Sequence, residues 1–420
     1  MVSAPAALRE RPLAIVLLVA LALRLVWALL VPVIPQSDAA MYDSFAREIL
    51  AGHGYVFPGG RETAYWPVGA SALYAVAYAI FGTGGLGVVV FNVAMGTAMA
   101  GLGYGIARRR FGERAGLIAG LLIACWPTWI AFATVPNSEM PYALLLMLAI
   151  LLRTPNPVAP AQAGASGGKS ATLPHWLLRN ILAAACLAGS AYMRPIVMPL
   201  FVALPLFDWL RHRDWRRMGL DLIATLLVAA ALIGPWAMRN KALFGHPVPI
   251  STNFGANLWM GNNPQSNGGY MALPQTGIAN EVERDQHFKQ TAIAFIKAHP
   301  ARYLALTAHR VPLSLDRESV GIAWNSEALP DGLLTPLKAL ATIYWLGAFL
   351  LSLAGFVLLM RQSLLNLFDP VIVAVGLVFA TAILVVGGDR YHLPADPFIA
   401  IVAAYLLAHF WPGQKKAAAN

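Results

Sequence analysis

Between short polar breaks, the sequence returns again and again to apolar runs of about 20 residues, the length an α-helix needs to cross a hydrocarbon core about 30 Å thick. They fall near residues 12–34, 86–107, 115–134, 139–153, 176–193, 195–210, 219–237, 334–360, 370–386 and 394–411. Lipid offers no partners to a bare backbone, so segments of this kind must fold as helices. The expected fold class is an all-α polytopic membrane protein with about ten transmembrane helices. Charge agrees, since 12% of the 420 residues are charged and 58% are hydrophobic, which is far from the balance of a soluble domain. The first run follows Arg9 and Arg11 but is long for a signal peptide and lacks a small-residue cleavage site, so it reads as a retained helix.

A net charge of +10 raises the possibility of nucleic acid, yet the basic residues cluster at the ends of apolar runs: Arg108 to Arg110 with Arg114, Arg211 to Arg217, Lys415 with Lys416. Topology accounts for them without nucleic acid. With both termini cytoplasmic, these clusters fall inside, as the positive-inside rule requires. Most of the 20 acidic residues then gather on the outer face. Carboxylates influence insertion little, so their gathering marks that face as the place to seek chemistry.

Two outer segments are long. The first, 35–85, has a helical pattern from Asp38 to Leu50, a turn-rich stretch from Gly52 to Gly60, and an apolar helix starting near Pro67. The second is rich in Gly, Asn and Pro through Pro274 and continues into an amphipathic helix at about 279–298. The chain is thus expected to divide into an N-terminal transmembrane region, 1–237, with the site on its outer loop 35–85, a periplasmic segment, 238–332, and C-terminal transmembrane helices, 333–420. The low-complexity stretch Thr154–Thr172 reads as a flexible loop. Cys125 and Cys186 lie within apolar runs and offer neither a disulfide framework nor a metal site.

Several polar residues stand where a charge needs a reason. Asp38 opens a surface helix, where it serves either the helix dipole or chemistry. Asp43 has Arg47 four residues on, an ordinary surface pair. Glu139, after Asn137 and Ser138, starts the fourth run, where a charge is costly unless it caps the helix or faces a cavity or a partner. Arg194 sits between two short runs with no acid near it in sequence, and Arg390 is followed by Tyr391 and His392. His53 and His392 lack acidic or histidine neighbours at metal-ligand spacing, so no metal is expected. Gly261-Asn262-Asn263-Pro264 reads as a tight turn whose amides are also suited to sugar hydroxyls, with Trp259 as a stacking face. Arg239 is placed to hold the outer segment to the membrane, whereas Arg24, inside the first run, has no evident role.

Three runs of the first outer loop, Ser37 to Tyr42, Ala51 to Tyr55 and Thr63 to Gly69, resemble the GT-C glycosyltransferases. They are most similar to bacterial enzymes akin to protein O-mannosyltransferases and lipid A aminoarabinose transferases. The resemblance continues at Met193-Arg194-Pro195, Pro235 to Asn240, Asn257 to Pro264 and Arg390 to Pro394, nearly the whole chain. It implies a first outer loop of surface helices, a small periplasmic layer and a bacterial inner-membrane location. It also implies inverting transfer of a sugar from a polyprenyl-phosphate donor to a lipid, glycan or protein acceptor, with no cofactor beyond that donor and the need for a divalent metal left open. Carried onto matching positions, Asp38 is the general base, and Arg194 and Arg390 meet the leaving phosphate. Tyr42, Glu62, Tyr65, Glu139, Asn262, Asn263, Tyr391 and His392 are then the other substrate contacts. Many relatives carry two adjacent acids where this chain has Ser37 and Ala39 flanking Asp38, which leaves Glu62 or Glu139 to supply a second carboxylate.

Two other classes share parts of this pattern. A lipid-linked-glycan flippase or transporter would place charges near the bilayer midplane and show paired broken helices, which are not evident. A polysaccharide polymerase or ligase would use a diphosphate carrier and a large late outer loop with paired arginines.

Overall fold

The computed structural model describes residues 11–154 and 174–411, so most of the stretch Thr154–Thr172 lies outside the described residues. The N-terminal part runs α1 (Arg11–Leu30), α2 (Asp38–Leu50), α3 (Gly69–Phe81), α4 (Leu86–Phe111), α5 (Glu113–Ala124), α6 (Pro127–Ala131), α7 (Glu139–Arg153) and α8 (His175–Met193). It continues with α9 (Leu200–His212), α10 (Trp215–Phe244), α11 (Phe254–Gly261), α12 (Glu281–Ala298), α13 (Pro300–Leu315) and α14 (Val320–Ala323). The last helices are α15 (Leu334–Gln362), α16 (Pro370–Leu384) and α17 (Asp396–His409). The only β-pairing among the described residues is an isolated bridge from Val56 to Glu62.

Every expected apolar run is helical, but the helices differ in reach. α1, α4, α8, α10 and α15 are each long and apolar enough to cross a membrane, and α5 with α6 forms a sixth such unit bent by 55°. α7, α9, α16 and α17 have 15, 13, 15 and 14 residues, roughly 20–22 Å of helix, short of a full crossing. Proline sets several of these lengths. Pro195 and Pro199 interrupt the run after Met193, and Pro370 and Pro397 occupy the first turns of α16 and α17. The domain limit expected at 237 falls inside α10, which continues to Phe244.

α1, α4, α5, α7, α8 and α17 enclose a core with Met99, Trp126, Trp129 and Phe398 fully buried. Leu29, Leu30, Leu227 and Ile343 instead point outward, which suits lipid and would be unfavourable in water. The chain is a multi-pass membrane protein.

The bend between α5 and α6 explains Arg24. A helix that stops inside the bundle leaves carbonyls without partners. Arg24, fully buried, donates to the carbonyls of Ala124 (3.1 Å) and Ile123 (3.4 Å) at the end of α5, and to Ala20 on its own helix (3.0 Å). Gly96 makes room for it, because a Cβ there would lie 2.2 Å from Arg24 Nε. Arg310 does the same work near the two long loops, as its buried guanidinium reaches the carbonyls of Ile383 (3.1 Å) and Leu384 (3.2 Å) at the end of α16, and Gly261 at the end of α11.

The two long loops are tied together. Glu281, at the start of α12, accepts from Thr63 Oγ1 (3.0 Å), the Ala64 amide (2.5 Å) and Thr252 Oγ1 (3.1 Å). Arg239 near the end of α10 donates to the carbonyls of Thr63 (2.7 Å) and Tyr55 (3.2 Å) and pairs with Glu62. The first loop is therefore anchored to α10 as well as to the second loop.

Candidate active site

α2 begins at Asp38 directly after Ser37, whose φ of 53° is rare for a residue with a side chain. That turn sets Asp38 at the head of the helix, 30% exposed. Arg390 comes from the other end of the chain. Its loop is fixed by the Gly387 amide donating to the Gly268 carbonyl (2.9 Å), the Gly388 amide to Ser314 Oγ (3.1 Å), and Ser319 Oγ to Asp389 (2.6 Å).

Four charges form one chain. Arg390 Nη1 pairs with Asp38, Arg390 Nε donates to Glu139 Oε1 (2.5 Å), and Arg194 Nη2 pairs with the same Glu139 oxygen. Arg194 Nε donates to Ser138 Oγ (3.2 Å), as does the Tyr42 hydroxyl (3.2 Å). The Arg390 guanidinium lies over the Trp324 ring, 4.7 Å from its centroid, a cation–π contact. Glu139 is fully buried and the two arginines are 16% and 20% exposed, so the carboxylate is held behind a pair of cations that face the opening. Burial opposes the charge on Arg390, but Glu139, Tyr42 and Asp38 outweigh it and hold its pKa well above the usual value. Burial likewise raises the Tyr42 pKa, so its phenol keeps its proton and remains a donor.

Asp38, Tyr42, Tyr65, Arg194, Arg390 and Tyr391 all line one cavity of about 1520 Å³. Its lining includes apolar residues between α8 and α9 and after α16, namely Pro195, Ile196, Met198, Pro199 and Val385. It also includes aromatic and polar residues of the two long loops.

Other residues expected to touch substrate lie elsewhere. Glu62 faces Arg239 and is absent from the cavity lining. Asn262 and Asn263 are buried, and their amides are used within the fold: Asn262 donates to Leu258 (2.9 Å) and Val385 (3.1 Å), Asn263 to Trp259 (2.8 Å). A buried amide needs such partners, and these leave the groups turned inward. Trp259 packs on Phe288 with ring centroids 5.5 Å apart rather than standing free as a platform. His392 is fully buried and stacks on Trp345 at 3.9 Å.

His392 does have acidic neighbours, which sequence spacing concealed. Its ring, Glu318 and Asp396 bring ligand-type atoms within 4.8 Å of one another. Nδ1 is 3.0 Å from Asp396 Oδ1, Nε2 is 3.3 Å from the Arg317 carbonyl, and the Trp126 indole donates to Glu318 at 2.8 Å. Burial, with Asp396 adding to it, pushes the Glu318 carboxyl well up, and burial pushes His392 down. At the cavity itself Asp38 and Glu139 face guanidinium groups, while Asp389 accepts from Ser319.

Several participants escaped the sequence reading, among them Ser138, Trp324 and Arg310. Only Ser138 left a trace there, as a possible cap beside Glu139.

Residues 66–155 match the sequence family described as dolichyl-phosphate-mannose-protein mannosyltransferase. No curated protein sequence matches the chain. Among solved structures, the archaeal oligosaccharyltransferase AglB from Archaeoglobus fulgidus, in complex with an inhibitory peptide and a dolichol-phosphate, superposes with a TM-score of 0.56 at 14% identity. It is matched over 96% of this chain and 50% of its own. The apo form of the A. fulgidus oligosaccharyltransferase gives 0.58 at 13% identity with the same coverage. ArnT from Cupriavidus metallidurans, bound to undecaprenyl phosphate, gives 0.43 at 14% identity over 94% of this chain and 77% of its own. The chain spans about half the length of the oligosaccharyltransferase it matches. At these identities the likeness concerns architecture alone, and the chain shares the fold of the matched half of the A. fulgidus oligosaccharyltransferase.

Proposed function

We propose that the chain transfers a sugar from a polyprenyl-phosphate donor to an acceptor at the periplasmic face of a bacterial inner membrane, with both termini in the cytoplasm. The observation that carries this reading is the Asp38–Arg390–Glu139–Arg194 chain at a cavity lined by both apolar and polar residues. Asp38 takes the proton of an acceptor hydroxyl as that oxygen attacks the anomeric carbon. The bond from that carbon to the phosphate oxygen breaks, and its electron pair stays with the phosphate. Arg194 and Arg390 balance the charge that grows there, and the polyprenyl chain lies along the apolar lining residues. Attack from the face opposite the leaving phosphate inverts the anomeric centre. The dolichol-phosphate in the AglB complex supports a lipid phosphate as leaving group.

Binding of undecaprenyl phosphate to purified protein tests the donor half. Wild type is expected to bind it, and Arg194→Gln to bind it about tenfold more weakly or worse, since one charge-assisted contact is lost. No binding by wild type would remove the donor from the scheme. Sidedness has a separate check at Gly84, between α3 and α4, where an added side chain meets open space. With Cys125 and Cys186 replaced by serine, Gly84→Cys should react with an impermeant maleimide from the periplasmic side. Reaction only from the cytoplasmic side would invert the topology and end the proposal.

A further inference from the structure

The charges on the cavity wall do not all find partners. Arg194 and Arg390 are matched by Glu139 and Asp38, and Asp389 accepts from Ser319. Arg284, on the first turn of α12, also lines the cavity and is half-buried, yet among the described residues its side chain makes no ion pair or hydrogen bond. Its sequence neighbour Asp285 accepts from the amides of Gly255 (2.6 Å) and Ala256 (3.1 Å) and forms no ion pair with it. Among the described residues, Arg284 is therefore a cavity-lining cation without an ion-pair partner.

Its surroundings are aromatic. Tyr65, Trp66 and Tyr270 line the same cavity, with the Tyr65 and Trp66 rings edge to face at 4.6 Å and Tyr270 76% exposed. Tyr65, Arg284 and Asp38 line the same cavity, and burial raises the Tyr65 pKa to about 12, so its phenol keeps its proton.

The lining residues suit two different molecules. The apolar residues beside Arg194, Pro195 to Pro199, suit the lipid of the donor. The aromatic residues offer ring faces, which stack on sugars, and Arg284 offers a guanidinium, which recognises phosphate or carboxylate. We propose that Arg284, Tyr65, Trp66 and Tyr270 form an acceptor subsite for a sugar that carries an anionic group, phosphate or carboxylate, close to the hydroxyl that Asp38 deprotonates. This rests on the reading of Asp38 as the base and adds the chemical class of the acceptor. The anion neutralises Arg284 and fixes the sugar's orientation, while the rings exclude water from the face that reacts.

The test uses glucose, glucose 1-phosphate and glucuronate as probes, with binding to the full-length protein in detergent followed by ligand-observed NMR. Each is measured with and without saturating undecaprenyl phosphate. At least one anionic sugar is expected to bind about tenfold more tightly than glucose, the worth of one charge-assisted contact. That preference should persist when undecaprenyl phosphate is present and disappear in Arg284→Gln and Arg284→Met. Two variants guard against the folding failure of one, and each is checked by its retained affinity for undecaprenyl phosphate. Equal affinities for charged and neutral probes would overturn the proposal, as would a preference that survives both substitutions or one that undecaprenyl phosphate abolishes by competition. If undecaprenyl phosphate itself fails to bind, the donor assignment falls, while the probe comparison made without it still decides the role of Arg284.

Discussion

Asp38→Asn is expected to lower sugar transfer by about 10² to 10⁴ while the protein stays folded, because a positioned base contributes about that much to a proton-transfer step. Asparagine keeps the shape of aspartate and cannot accept the proton. The fold should tolerate it. Asp38 is 30% exposed and makes one ion pair, with Arg390, which keeps Glu139 as its second partner. Donor affinity gives the sharper signature: freed from Asp38, Arg390 has more of its charge for an incoming phosphate, so undecaprenyl phosphate should bind as well as before or better. Loss of turnover with donor affinity retained separates a missing base from a collapsed site. Full turnover in Asp38→Asn would refute the assignment.

Glu139→Leu is expected to act through the opposite route, with a large loss of stability. Glu139 is fully buried and one of its oxygens accepts from both Arg194 and Arg390. Removing it leaves two guanidinium groups side by side with Asp38 alone to balance them. Deleting one partner of a buried ion pair costs about 3–5 kcal/mol, and here two pairs are lost at once. Two outward-facing arginines retain some water, which keeps the expected loss toward the low end of that range. A melting temperature in detergent equal to that of wild type would show that Glu139 is not the anchor. Glu139→Gln should fall between, since its amide oxygen still accepts but carries no charge.

Regular features of the chain were legible from residue order because their causes are local. Apolar runs set the helices, Asp38 opened α2 as its position demanded, and Asp43 met Arg47 at 2.8 Å one turn on. The partner of Arg194 was not legible, because Glu139 lies 55 residues away and is brought in by the packing of α7 on α8. Asn262 and Asn263 have the composition of a sugar-binding turn, yet their amides serve the backbone where α11 meets the end of α16. The acidic partners of His392 illustrate the same limit: Asp396 is one helical turn on, while Glu318 enters from a segment more than seventy positions earlier. Helix length also escaped the hydropathy pattern, since an apolar run says nothing of where proline will stop a helix inside it.

The four-charge chain draws its members from positions 38, 139, 194 and 390. During synthesis, the first three are made long before the last. Until Arg390 emerges, Asp38 lacks its partner and Glu139 has only Arg194 against it. The four-charge chain is therefore completed only when Arg390 has been made, so a product that stops short of it holds its buried acid against Arg194 alone.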